Sequence, residues 1–175
     1  AKRAPWDGGF VWGKDSTGGR WIATACQGLG ASVWWPTKDI QSDEPDSQRV
    51  AITVPKPLQN VSNGRLRSVK DNRDGTRTFT WFVAEPINNY DIAVNAADYA
   101  KFTDRYKGEG GNLTLTFWPL RAHKQKARQQ FKQVKTMLAC FEGWFGPYPW
   151  YKDGYQLVET PHLGMEHQTI IAYGN

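Results

Sequence analysis

Three histidines, two cysteines and seventeen acidic residues are the groups of this 175-residue chain that could do chemistry. A hydrolytic zinc site needs three protein ligands and an open position. His123, His162 and His167 are not spaced as H-E-x-x-H, and no C-x-x-C occurs, so the residues predict no metal site within the chain. No G-x-S-x-G elbow marks a nucleophilic serine. Cys26 and Cys140 lie in apolar stretches and read as buried free thiols, with a single bridge between them left open. Asp43, Glu44 and Asp46 lack the spacing of a calcium loop and read as a solvated turn. One further carboxylate stands out by its setting, in Leu163-Gly164-Met165-Glu166-His167-Gln168. On residue type alone Glu166 is an ordinary carboxylate at a strand edge.

The elements that position these groups follow from periodicity and turn chemistry. Gly8-Gly9 and Gly18-Gly19 read as turns around a short strand, in a stretch that also carries Trp6, Phe10 and Trp12. Residues 21–27 and 49–54 predict strands, the second from its polar and apolar alternation. Ser32-Val33-Trp34-Trp35 reads as a short extended run stopped by Pro36. Asn63-Gly64 and Asp74-Gly75 predict tight hairpin turns, because these residues tolerate positive φ. Tyr90-Asp91-Ile92-Ala93-Val94 reads as another strand, so the pattern up to about Lys107 is an antiparallel β-domain. Gly108-Glu109-Gly110-Gly111 marks a boundary, followed by a strand in which Leu113, Leu115 and Phe117 alternate with threonines. Ala127, Phe131, Val134, Leu138, Phe141 and Phe145 then recur at helical spacing and predict one amphipathic helix, ended by Gly146-Pro147. Phe131, Val134, Leu138 and Phe141 should lie under the last strands.

Composition limits the partners. Basic residues number 22 against 17 acidic ones, a formal charge of +5. Arg65, Arg67, Lys70 and Arg73, with the lysines of the helix, could track phosphates. Lysines on an outer helix face usually only solubilise, and the net charge is modest, so no nucleic-acid partner is expected. No stretch approaches the ~20 apolar residues of a membrane helix. The chain is 14% aromatic, with nine tryptophans, enough for a real core and for a surface that packs on something outside it. Asn60-Val61-Ser62 and Asn112-Leu113-Thr114 match the glycosylation sequon, a pattern that is common by chance.

Several motifs fall in one order. Cys26-Gln27-Gly28, Trp35-Pro36, Asp43-Glu44-Pro45, Thr53-Val54-Pro55-Lys56, Val61-Ser62-Asn63-Gly64 and Pro86-Ile87-Asn88-Asn89-Tyr90 precede Phe145-Gly146-Pro147-Tyr148-Pro149, Val158-Glu159-Thr160-Pro161 and the Glu166 tract. Together they resemble the zinc aminopeptidases related to aminopeptidase N and leukotriene A hydrolase, in which G-x-M-E-N precedes the zinc motif H-E-x-x-H. The resemblance implies a mainly β fold. An antiparallel, saddle-like N-terminal domain (1–107, lacking its first strands) would be followed by the opening of an α/β catalytic domain (108–175). That opening would hold a strand, one long amphipathic helix and short strands, and would stop before the zinc motif.

The resemblance also implies roles. Glu166 would hold the free α-amino group of a peptide, which gives exopeptidase specificity. Gly164 and Met165 would line the substrate backbone, with glycine permitting close approach. Gln27 would line the same amine pocket. His167 stands where most members have Asn, and Leu163 where many have Gly; a histidine there can charge near neutral pH. Zinc would polarise the scissile carbonyl and activate water in the whole enzyme, with none bound by this segment. The partners implied are a peptide N-terminus and the remainder of the catalytic domain. The chain begins at Ala1 rather than Met and reads as a processed product or an excised piece, trimmed at both ends. The alternatives are a non-catalytic aromatic-rich binding module and an inactive aminopeptidase relative.

Overall fold

The computed structural model describes residues 9–26 and 28–174. Among them the elements run β1 (Gly9–Lys14), β2 (Arg20–Ala25), β3 (Gln48–Pro55), β4 (Gln59–Val61), β5 (Arg65–Asp71), β6 (Thr76–Val83), β7 (Asn95–Ala97), β8 (Phe102–Gly108) and β9 (Gly111–Trp118). Helices α1 (Lys124–Gln130) and α2 (Gln133–Phe145) follow, then β10 (Tyr155–Thr160), β11 (Gly164–Met165) and β12 (Ile171–Gly174). The fold is mainly β, as expected.

Three sheets form. The first has the order β1-β2-β7-β4 and the second β3-β6-β5, both antiparallel. The third, β11-β12-β10-β9-β8, is mixed: β9, β10 and β12 run parallel, and the outer pairs are antiparallel. Parallel neighbours need a long crossover, and α1 and α2 supply it between β9 and β10. The 107/108 division expected from the glycines falls in the β8–β9 hairpin, with β8 hydrogen-bonded into the third sheet.

Local chemistry accounts for the turns. The Asp15 carboxylate accepts the N–H groups of Thr17 and Gly19 at 2.8 Å each and closes the β1–β2 hairpin. Asp74-Gly75 closes β5–β6 as predicted, with Gly75 at φ 81. Asn63-Gly64 does not make a hairpin. The strands flanking it belong to different sheets, so they do not pair across it. The chain changes sheets there, and the Asn63 side chain is buried in doing so. Two other expected strands are short 3-10 turns instead, at Ala31–Val33 and at Asn89–Asp91. In the second, the Asn88 side chain accepts the Tyr90 N–H and starts the turn.

The expected single helix is two. The break falls at Phe131-Lys132, where Phe131 stacks on Phe117 (5.3 Å) and meets Tyr173 edge-on (5.1 Å). Val134 and Leu138 are buried against the sheet, but Phe141 and Phe145 are exposed. The inward stripe steps by four, from Val134 to Leu138 to Glu142, rather than to Phe141. Glu142 then accepts the Tyr106 hydroxyl at 2.6 Å and the Tyr151 hydroxyl at 3.1 Å. That register also leaves Cys140 exposed rather than in the core, while Cys26 is buried and both are free thiols.

The third sheet shares one core with the first two: Trp21, Val61, Phe79, Trp81 and Tyr99 pack with Trp118, Leu120, Val158 and Ile170. Trp81 and Trp118 meet edge-on at 6.2 Å. The Asn60 sequon is inside this core. Its side chain donates to the Asn95 carbonyl and accepts from Trp81 Nε1, both at 3.0 Å, so it is closed to a glycan in the folded chain. Phe131→Ala should cost about 3–5 kcal/mol, and Phe145→Ser should change stability by less than about 0.5 kcal/mol. Urea denaturation of the two variants decides it; equal losses would sink this assignment of the helix faces.

Candidate functional site

Glu166 lies just beyond β11, on a five-residue loop (166–170) that the rest of the chain fixes closely. Gly164 sits at φ 111, and a Cβ there would come within 2.8 Å of the Ala172 carbonyl oxygen, so glycine is required for β11 to pair with β12. Met165 is buried, and Glu166 is exposed. β11 is at the sheet edge, and its outer side pairs with no strand among the described residues. An extended chain can align on such an edge through backbone hydrogen bonds.

The loop is held from the first half of the chain. Asn63 Nδ2 donates to the Gln168 carbonyl at 2.6 Å and to the Asp91 carbonyl at 2.9 Å, while its Oδ1 accepts the Ala93 N–H at 2.8 Å. The Gly64 N–H donates to Thr169 Oγ1 at 2.9 Å. Gln168 donates its N–H to Asp91 Oδ1 at 3.1 Å and its side-chain amide to the Pro86 carbonyl at 2.9 Å. Thr169 stands at φ 63, a strained value for a β-branched residue. The bond from Gly64 and the burial of its side chain hold it there.

Exposed Glu166, half-buried Tyr90 and buried Asp91 are neighbours at this loop. Tyr90 donates its hydroxyl to Glu166 Oε1 at 3.1 Å. Burial, then the charges of Asp91 and Glu166, push the Tyr90 phenol well above its ordinary range. Burial pushes the Asp91 carboxyl up to about 7, the Gln168 N–H opposes that, and Glu166 and Glu44 add to it. A cation is favoured in such a neighbourhood. Tyr90 also lines a cavity of about 220 Å³ together with Gly28, Ala31, Lys38, Ile40 and Gln41.

Of the residues expected from sequence, Gly164, Met165, Glu166 and His167 are consecutive: the first two form β11 and the last two open this loop. Gln27 lies outside the described residues. His167 departs from expectation: it is 1% exposed, and neither ring nitrogen meets a hydrogen-bond partner among the described residues. Burial, and then His162, push its pKa down to about 3, so it stays neutral near pH 7 rather than charging there. Residue type and spacing did not single out Asn63, Tyr90, Asp91 or Thr169. Asn63 and Tyr90 fall inside quoted motifs, but their side chains act across the fold, and the φ of Thr169 has no signal in the sequence.

The histidines do not form a zinc site. His123 Nδ1 is paired with Glu159 Oε1 at 2.6 Å, and the described residues contain no group of three His, Cys, Asp or Glu side chains able to hold a metal ion. Among the described residues no helix is long and apolar enough to cross a membrane.

No protein-family model and no curated protein matches this sequence. Solved structures do resemble it in fold. A mutant form of the M1 zinc metallopeptidase from Deinococcus radiodurans superposes with a TM-score of 0.77 at 18% identity, over 88% of this chain and 36% of that one. A mutant two-domain M1 zinc metallopeptidase bound to L-arginine superposes at 0.78, again at 18% identity, over 93% and 37%. The Deinococcus radiodurans mutant bound to a Tyr-Ser-Ala substrate gives the same values as that second structure. The chain thus spans a little over a third of the length of these structures.

The two shifted groups act on stability in opposite directions. Asp91 has a raised folded-state pKa, so its contribution is complete below its ordinary value and is lost as pH rises towards 7. His167 has a lowered one, so its contribution is complete above its ordinary value of 6.5 and is lost as pH falls towards 3. Asp91→Asn should therefore gain on the parent chain between pH 4 and 7, and His167→Asn should gain as pH drops from 7 to 5, each by at most about 1.4 kcal/mol per pH unit. Urea midpoints measured across this range check both. Curves parallel to the parent's would show that neither group titrates as described.

Proposed function

We propose that this chain is part of a zinc-dependent aminopeptidase, and that it carries the anchor for the substrate's free amine but not the zinc site. The observation that carries this reading is the Glu166 carboxylate, exposed beside the free edge of β11 on a loop braced by Asn63 and Asp91. A peptide aligned on that edge would lay its backbone along Gly164 and Met165, and its terminal ammonium would pair with Glu166. Gln27 would contribute to the same amine pocket. His167, buried and neutral, would support the loop and would not bind the amine itself. The fold shared with M1 zinc metallopeptidases, one of them bound to a Tyr-Ser-Ala substrate, supports a peptide as ligand. The kinship we infer is with the aminopeptidase N and leukotriene A hydrolase group. The division at 107/108 would separate the N-terminal β-domain from the opening of the catalytic domain, whose remainder would be the second partner.

A second reading has its own observation. Phe10 and Trp12 on the edge strand β1 are 41% and 72% exposed, and Phe10 meets Trp34 edge-on at 5.4 Å. Such a surface suits a binding module that stacks on sugars or a protein partner. Retention on a polysaccharide column would favour it.

Titration of the chain with Tyr-Ser-Ala and with its N-acetylated form, followed by NMR, separates the readings. The free amine should bind more tightly, and Glu166→Gln should weaken it by at least about tenfold while leaving the acetylated peptide unaffected. The chain alone should release no N-terminal residue. Equal binding of the two peptides, or robust release, would count against the proposal.

A further inference from the structure

We infer that Tyr90 is a positioning residue for Glu166, an inference that rests on the amine-anchoring role proposed above. Glu166 follows a strand of only two residues and its side chain is exposed, so nothing in its own element confines the carboxylate. A free glutamate side chain samples many rotamers, and ordering it costs entropy at the moment of binding. Among the described residues, the hydrogen bond that reaches this carboxylate comes from the Tyr90 hydroxyl, at 3.1 Å on Oε1. A phenol donor held in place selects one carboxylate position before a ligand arrives.

Tyr90 is held in place on two sides. Its N–H donates to Asn88 Oδ1 at 3.2 Å, and the Asn88 amide donates in turn to the Gln41 carbonyl at 2.8 Å. The Asn89 amide reaches the carbonyls of Lys38 (3.2 Å) and Asp43 (3.1 Å). On the other side Asp91 accepts the Gln168 N–H, two residues beyond Glu166. The short turn is thus fixed to the 38–43 segment and to the anchor loop together. The phenol donates to Oε1, which leaves Oε2 open to a ligand ammonium.

The test uses the full chain, with Tyr-Ser-Ala and its N-acetylated form as probes. Tyr90→Phe keeps the ring and removes only the donor. It should weaken the free-amine peptide about tenfold, leave the acetylated peptide and the thermal midpoint unchanged, and so collapse the preference between the two. Tyr90→His, which restores a donor, should recover part of that preference. If Tyr90→Phe binds as the parent does while Glu166→Gln loses the amine, the inference is overturned and the amine anchor stands. If the parent shows no preference for the free amine, or Glu166→Gln keeps it, the anchor itself fails and the inference goes with it. A lower thermal midpoint with equal loss for both peptides would make Tyr90 merely structural, which also overturns the inference.

Discussion

The side-chain amide of Asn63 is the interaction on which the candidate site depends. It is buried, and it satisfies the carbonyls of Asp91 and Gln168 and the N–H of Ala93 at once. Those three groups lie in two stretches of chain, one about thirty and the other about a hundred residues away. Each belongs to a buried residue outside the strands, with no ladder partner to fall back on. An unsatisfied one would cost on the order of 1–3 kcal/mol. Asn63 removes that cost for all three, and in doing so it sets the Glu166 loop against the first half of the chain.

The strain at Thr169 follows from this arrangement. A β-branched residue at φ 63 persists only where its surroundings over-determine it. Gly64, the neighbour of Asn63, donates to Thr169 Oγ1, and Gln168 is already held by Asn63, Asp91 and Pro86. Gly64 must itself be glycine, since it sits at φ 73 and a Cβ would collide with the Phe82 carbonyl. The dipeptide that reads as a hairpin turn is therefore a clamp between sheets. The shared core built on Trp81 and Trp118 gives the clamp a fixed base.

Much of the fold is legible because periodicity reports burial. The alternation at Leu113, Leu115 and Phe117 marks β9, and the spacing of Phe131, Val134 and Leu138 marks the inward face of the helices. Asp74-Gly75 makes its hairpin because both flanking strands belong to one sheet. The same signal at Asn63-Gly64 misleads, because turn chemistry records what a dipeptide tolerates and not which sheet the next strand joins. Phe141 misleads for a related reason: three-residue and four-residue steps are equally helical, and only the polar partners Tyr106 and Tyr151 make Glu142 the inward position. Of the site, Gly164 to His167 were readable as a contiguous motif. Tyr90 and Asp91 were not, because they reach Glu166 and Gln168 from some 76 residues away.

Charge at the site is shaped as much by what burial removes as by what the sequence supplies. Glu166, Asp91 and His167 lie close together along the loop and its brace, and their formal charges alone would partly cancel. Burial keeps the His167 imidazole neutral, so that ring adds no fixed positive charge next to Glu166. It also pushes the Asp91 carboxyl up to about 7, against the Gln168 N–H that opposes the shift. Glu166 is left as the exposed carboxylate, with one oxygen engaged by a phenol whose own ionisation is suppressed by burial and then by the Asp91 and Glu166 charges. The histidine at position 167 is then compatible with the amine-anchoring role proposed for Glu166, because its environment takes away the charge that would have conflicted with it.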